Sequence, residues 1–218
     1  MRNQRFEPEP EIFARILAEL APAFELSLDE RVIGLLTQHY ELLLKWNQRV
    51  NLTTVVRPEE AARLHYLESL YAMKFIRPGA KCLADVGSGA GFPGIPLAVV
   101  ERRFNVVLIE SNARKSVFLD QAVKHLGLRN VEIFCGRFQD YPHRDFQVLV
   151  CRAIDRFEEG AAELLDFGKS CLQVILFIGK GLAERVQVMS ASDWEFECQQ
   201  IPLSKGRFLA LLSSKCAT

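Results

Sequence analysis

The sequence predicts an α/β fold: a mostly parallel sheet covered by helices, closed by an antiparallel pair and preceded by a helical region. Three observations predict it. From Lys81 onward, short apolar runs alternate with helical stretches, the rhythm of βαβ units. A glycine-rich stretch, DVGSGAGFPGIP from Asp85 to Pro96, follows the first apolar run, where open parallel sheets bind ligands. The residues before about 75 lack that alternation and repeat their apolar side chains at helical spacing. The expected division is a helical region over residues 1–76 and a ligand-binding domain over 77–218.

Taken in order, Ile12, Phe13, Ile16, Leu17 and Leu20 predict a first helix. Ser27-Leu28-Asp29-Glu30 predicts a capping box, with Ser27 as N-cap and Glu30 reaching back. The helix it opens carries Val32, Leu35, Leu36, Tyr40, Leu43 and Leu44. Pro58, followed by Glu59 and Glu60, starts a third helix: proline suits its first turn and acids suit its dipole. That helix should end before Arg77-Pro78-Gly79. Strands are expected over 82–86, 105–109, 131–134, 146–150 and 172–178, and helices over 93–103, 115–126 and 158–167. The last two strands, 194–201 and 208–212, are joined by a segment too short for a crossover helix, so they pair antiparallel.

Composition sets bounds on function. The chain has 218 residues, enough for one α/β domain with an extension, and 49% are apolar, so a core can form. Formal net charge is zero, which excludes a strongly basic nucleic-acid binder; any such contact rests on local patches. Arg102-Arg103 and Arg114-Lys115, with Lys205 and Arg207, are candidates for one, or else solvated faces. The six cysteines, at 82, 135, 151, 171, 198 and 216, show neither C-x-x-C nor zinc spacing, so no metal is expected. They read as free thiols of a reducing compartment. The N-terminal stretch has no apolar region behind its basic start, and no apolar run is long enough to span a bilayer. A cytoplasmic protein with no membrane contact is expected, with a monomer as the default.

The glycine stretch admits two cofactors. Gly89-x-Gly91-x-x-Gly94 matches a dinucleotide fingerprint, whereas Gly87-x-Gly89-x-Gly91 behind Asp85 matches the looser loop of S-adenosylmethionine (SAM) enzymes. Strand register favours the second, because the turn begins at Gly87 and leaves the fingerprint displaced by two residues. Pro93 and Pro96 favour it too. A pyrophosphate needs free N–H groups at the helix start, and each proline removes one. Asp85 would repel a pyrophosphate, but it can hold the methionine ammonium or brace the loop. Glu110, after the second strand, can accept from ribose hydroxyls of either cofactor.

Several motifs then stand in one order: Trp46-Asn47-x-x-x-Asn51-Leu52-Thr53, His65-x-x-Glu68-Ser69, the loop G-F-P-G-I-P-L, Cys151-Arg152-Ala153 and Gly179-Lys180-Gly181. Over residues 30–212 the chain resembles the bacterial small-subunit ribosomal RNA methyltransferase G family, also called glucose-inhibited division protein B. The resemblance implies a class I SAM-dependent methyltransferase: a Rossmann-like, seven-stranded sheet with its last strand antiparallel, behind an N-terminal helical region. It implies methylation of N7 of one guanosine in 16S rRNA, near the decoding centre, with the small ribosomal subunit as partner. It places SAM contacts at Gly87 and Phe92, adenine contacts at Phe138 and Gln139, the ribose at Glu110, and Arg152 at the active-site mouth. The family's usual Arg-His-x-x-Asp-Ser departs here to Leu64-His65-Tyr66-Leu67-Glu68-Ser69. Arg63 is thereby displaced by one position, about 100° around a helix.

Guanine N7 carries an in-plane lone pair and no proton, so no general base is needed and catalysis is mostly positioning. The candidate cofactor set is Asp85, Gly87, Gly89, Gly91, Phe92, Glu110, Phe138, Gln139 and Arg152; the candidate catalytic residues are Arg152 and Lys180. Each has a plainer alternative: a structural ion pair for Arg152, a solvated lysine for Lys180, a loop staple for Phe92. Asn47 and Asn51 read equally as turn residues, and His65 as a packed histidine. A SAM methyltransferase acting on a small molecule or protein, or a non-catalytic protein on the same fold, are the competing functions.

Overall fold

A computed structural model describes residues 10–152 and 157–215. Seven strands form one sheet in the order β3-β2-β1-β4-β5-β7-β6. They are β1 (Cys82–Val86), β2 (Asn105–Glu110), β3 (Val131–Cys135), β4 (Val148–Arg152), β5 (Gln173–Gly179), β6 (Trp194–Gln200) and β7 (Arg207–Ser214). Strands β1 to β5 pair parallel, and β7 inserts antiparallel between β5 and β6. The order reverses between β1 and β4, the switch point at whose C-terminal strand ends open α/β sheets bind ligands.

The period of two sorts the strand side chains into two cores. Leu83, Val106, Leu108, Val148, Val150 and Ile175 face one side, with α1 (Pro10–Leu20), α2 (Glu30–Asn47), α3 (Pro58–Ala61), α4 (Glu68–Tyr71), α5 (Gly94–Val100) and α6 (Ala113–His125). Ala84, Val86, Ile109, Leu149, Cys151, Val174 and Leu176 face the other, under α7 (Phe157–Phe167) and α8 (Ala183–Ser190). The N-terminal helices thus share their core with the sheet. Phe13 stacks on Tyr40 (4.3 Å) and meets Tyr66 edge-on, and Tyr66 meets Phe92 of the glycine stretch at 5.0 Å. Such ring pairs add about 0.5–1.5 kcal/mol each beyond area burial.

Three local expectations change. The second helix begins at Glu30, which makes Asp29 the N-cap; its carboxylate accepts from the Val32 N–H at 2.7 Å. Glu30 is then the first helical residue and cannot reach back, so the capping box from Ser27 does not form. The third helix starts at Pro58, but residues Ala62–Leu67 widen into a π-helical turn between α3 and α4. Helix α8 stands where the sequence shows no amphipathic repeat, with Val186 and Ser190 its buried residues. No helix among the described residues is long and apolar enough to cross a membrane. The cysteines at 82, 135, 151, 171 and 198 are free, and Cys216 and Ala153 lie outside the described residues. Burial pushes the Cys171 thiol up to about 12 and the Cys151 thiol higher still, so neither is a ready thiolate.

Candidate functional site

The site is built on the loop between β1 and α5. Gly87 and Ser88 both donate from N–H to the Ile109 carbonyl (2.8 and 3.2 Å), which ties the loop to the end of β2. Gly87, Gly89 and Gly91 all have positive φ (74°, 57° and 88°), the region where a side chain is strained. Their surroundings differ. A Cβ at Gly87 would meet nothing within 4 Å, whereas one at Gly91 would lie 2.4 Å from Ile95 Cδ1. Gly94 is tighter: its Cβ would lie 2.3 Å from Leu108 Cδ2 and 2.7 Å from Asp85 Oδ2. The third glycine of the displaced fingerprint therefore serves close packing of helix on strand.

The donors at the start of α5 are already spent. Gly94 N–H donates to Asp85 Oδ2 (2.9 Å), Ile95 N–H to the Gly91 carbonyl (2.8 Å), and Pro96 has none to give. A pyrophosphate would find no cradle there.

Asp85 is fully buried at the end of β1. One carboxylate oxygen caps α5 and the other, Oδ1, has no hydrogen-bond partner. Burial lifts this carboxyl from its ordinary range to about 7, against the pull of the Gly94 N–H, while the Ser88 hydroxyl donates to the Asp85 backbone carbonyl at 2.9 Å. Glu110 ends β2; its Oε2 accepts from Gly89 N–H (2.8 Å) and its Oε1 from Asn112 N–H (2.7 Å). Each carboxylate oxygen has a further lone pair to offer.

Arg152 ends β4. Its Nη2 donates to the Leu64 carbonyl at 2.5 Å and lies 3.5 Å from Glu68 Oε2, and its Nη1 is buried with no partner. Glu68, 1% exposed, also faces Arg207 Nη2 at 2.7 Å, so one carboxylate joins α4, β4 and β7. Burial raises the Glu68 carboxyl above its ordinary range and the arginines pull it back. The structural ion pair considered for Arg152 is present, and one donor is left over. The Asp85 and Arg152 charges influence each other. An unpartnered acceptor and an unpartnered donor thus stand at the ends of adjacent strands.

The Phe92 ring is buried among aromatic rings of the helical region. It stacks on His65 (4.6 Å, 17° between planes) and meets His39 at 5.4 Å. Of its two readings, the ring's packing is that of the staple, leaving the backbone for any ligand contact. His65 Nε2 bonds Thr53 Oγ1 (2.9 Å), and Asn47 holds Thr53 from both sides: its Nδ2 donates to the Thr53 carbonyl and its Oδ1 accepts from the Leu52 and Thr53 N–H groups. A relay runs Asn47, Thr53, His65, Phe92, glycine loop. Burial, aided for His65 by Arg152, lowers the pKa of both His39 and His65 to about 3, so both stay neutral. Asn51 is exposed.

Phe138 and Gln139 follow β3 in a short 3-10 turn, Phe138–Asp140. Phe138 is half-buried against Phe167 (5.2 Å) and Gln139 donates to Glu163 (2.5 Å). Lys180 follows β5 with its side chain exposed and its N–H on the Gly206 carbonyl (2.8 Å). The basic patch expected from sequence is divided. Arg207 opens β7 opposite Gly179, at the ligand edge, while Arg102 and Arg103 precede β2 at the other edge, where Arg103 pairs with Glu101.

Sequence reasoning missed the Glu68 bridge, because its partners lie 84 and 139 positions away. It noticed Glu68 within the motif His65-x-x-Glu68-Ser69 and as a departure from the family's acid, not as an ion-pair hub. It also passed over Gly94 as a packing glycine, although the fingerprint spacing carried that signal. Among the described residues no group of His, Cys, Asp and Glu is arranged to hold a metal.

Residues 33–207 match the family described as rRNA small subunit methyltransferase G. A protein of that name from Dichelobacter nodosus is 40% identical over 140 residues, 64% of this chain and 66% of the relative. The alignment thus spans just under two thirds of that relative's length. Another, from Pseudomonas entomophila, is 34% identical over 207 residues, 88% of this chain and 95% of the relative. Among solved structures, a SAM-dependent methyltransferase from Aquifex aeolicus superposes with a TM-score of 0.57 at 16% identity, covering 70% of this chain and 91% of its own. A predicted O-methyltransferase from Agrobacterium tumefaciens gives 0.58 at 14%, covering 69% and 81%. The fold is that of the class I SAM-dependent methyltransferases.

Proposed function

Because the chain belongs to the rRNA small subunit methyltransferase G family, we propose that it is a SAM-dependent methyltransferase that methylates N7 of one guanosine in 16S rRNA. One observation carries the cofactor choice: the start of α5 has no N–H free for phosphate, since Gly94 and Ile95 have spent theirs and Pro96 has none. Asp85 Oδ1 and Arg152 Nη1, buried without partners at the ends of adjacent strands, support it. SAM fits that set, with its ammonium toward Asp85, its ribose toward Glu110 and its adenine toward Phe138 and Gln139. When bound, SAM supplies an electrophilic methyl group. The protein's part is alignment and exclusion of water, worth up to about 7–11 kcal/mol in well-ordered systems. Arg152, held by Leu64 and Glu68, takes either the cofactor carboxylate or the guanine O6 at the mouth. Lys180, exposed on the same edge, meets the RNA. The partner is ribosomal RNA or the small subunit, and the enzyme works in the cytoplasm as a monomer.

The test is transfer of labelled methyl from SAM to 16S rRNA and to small subunits, followed by nucleoside analysis. Recovery of 7-methylguanosine is expected. Label that survives RNase treatment of a cell extract, with none in rRNA, favours a small-molecule or protein substrate instead.

Asp85 gives a pH prediction. In the free protein it is protonated below about 7, and an ammonium ligand favours the carboxylate, so binding releases a proton below that pH. SAM affinity should therefore rise with pH between 5 and about 7, by calorimetry, and Asp85→Asn should weaken binding and flatten the rise. A wild-type profile as flat as the variant's removes Asp85 from the ammonium site.

A further inference from the structure

The turn between β6 and β7 holds a leucine in a posture that packing does not explain. Leu203 has φ +54°, the left-handed region that bulky residues rarely adopt, and its side chain is 54% exposed. Among the described residues it alone combines positive φ with an exposed large apolar side chain. The turn is pinned from several sides. Arg63 Nη1 donates to the Leu203 carbonyl (2.9 Å) and Gln200 Nε2 to the Ser204 carbonyl (2.7 Å). Ser204 Oγ accepts from the Arg207 N–H (2.9 Å), and the Lys180 N–H holds the Gly206 carbonyl. Arg63 is the displaced arginine of the π-turn, and the carbonyl of its neighbour Leu64 accepts from Arg152. The posture of Leu203 is therefore tied to the mouth of the site.

The exposed charges of the turn and of the β5 end beside it are basic. Lys180 and Lys205 are exposed, Arg63 is half-buried, and Arg207 is paired with Glu68 behind the turn. No acid interrupts residues 201–207. An exposed apolar side chain on a strained, hydrogen-bonded backbone beside exposed lysines fits a single-stranded polyanion with open base faces.

We propose that this turn is an RNA-docking jaw: Leu203 packs against an unstacked base beside the target guanosine, and Lys180 and Lys205 meet the flanking phosphates. The proposal rests on RNA being the substrate. Arg63 is a positioning residue here, since it acts through the Leu203 carbonyl.

The test compares wild type, Leu203→Asn and Leu203→Met on whichever of 16S rRNA transcript or unmethylated small subunit the wild type methylates. Asparagine accepts left-handed backbone more readily than leucine but offers no apolar face. Leu203→Asn should raise KM for RNA about five- to tenfold, the scale of burying part of a leucine side chain, leave SAM affinity unchanged, and unfold at the same or a higher temperature. Leu203→Met should restore KM. A merely structural leucine predicts lower stability or no change in KM, and either result overturns the jaw. So does a wild-type dimer that Leu203→Asn dissolves with KM unmoved, which assigns the face to a second copy. Wild type that binds SAM but methylates no RNA contradicts the function itself and takes the jaw with it. Methylation of RNA with KM indifferent to Leu203 overturns the jaw alone.

Discussion

Arg152→Ala is expected to lower methyl transfer to rRNA by at least about 10²-fold, the scale on which a single well-placed donor acts. The same change strands Glu68, which is 1% exposed and keeps Arg207 as its ion-pair partner, with Arg63 acting from farther off. Breaking a buried pair by removing one partner costs about 3–5 kcal/mol. Loss of activity alone would therefore not separate chemistry from folding. The pair Arg152→Met with Glu68→Gln does. It removes the stranded carboxylate, and Arg207, 37% exposed, can be hydrated. Stability should recover by about 1–3 kcal/mol over Arg152→Ala, while activity stays lost. Activity returning with stability would make Arg152 a structural residue. Arg152→Lys should fall between, because an ammonium cannot serve the Leu64 carbonyl, Glu68 and a ligand with a fork of donors.

Gly87→Arg and Gly94→Ala should fail in opposite ways. A Cβ at Gly87 meets no protein atom within 4 Å, so the fold pays only the left-handed strain of about 1–2 kcal/mol. The side chain instead enters the space assigned to SAM, and calorimetry should find binding lost by more than about 10²-fold. Gly94→Ala drives a methyl into Leu108 and Asp85. It pushes α5 off β1 and strains the Asp85 cap, so the expected loss is about 1–3 kcal/mol of stability. Cofactor affinity then falls because Asp85 moves. Gly87→Arg with wild-type SAM affinity would displace the cofactor from this loop. Gly94→Ala as stable as wild type would mean the helix yields without cost.

The strands were legible because their signal is local. Apolar runs such as Leu83 to Val86 and Val106 to Ile109 fall between turn residues, and a segment as short as 202–207 excludes a crossover. The two prolines were legible as chemistry, and the hydrogen bonds of α5 bear them out, since its first N–H groups are absent or spent. The capping residue was misplaced by two positions because Ser27 and Asp29 both suit an N-cap, and only the true helix start decides between them. The π-turn at Ala62–Leu67 leaves no mark in apolar spacing, yet it sets Arg63 toward Leu203 and the Leu64 carbonyl toward Arg152. The Glu68 bridge and the His65–Phe92 stack join residues far apart in the chain. Burial and pairing of that kind follow from the packed fold, not from spacing. What sequence could say was that Arg152 and Phe92 each had two roles open. In the packed fold the Phe92 ring stacks on His65, and Arg152 keeps one donor beside its ion pair.

The most direct measurement is a map of 7-methylguanosine along 16S rRNA from cells with and without this protein. Loss of N7 methylation at one guanosine, restored by the wild-type chain and not by Arg152→Ala, is the predicted result. An unchanged map in cells lacking the protein would contradict the assignment.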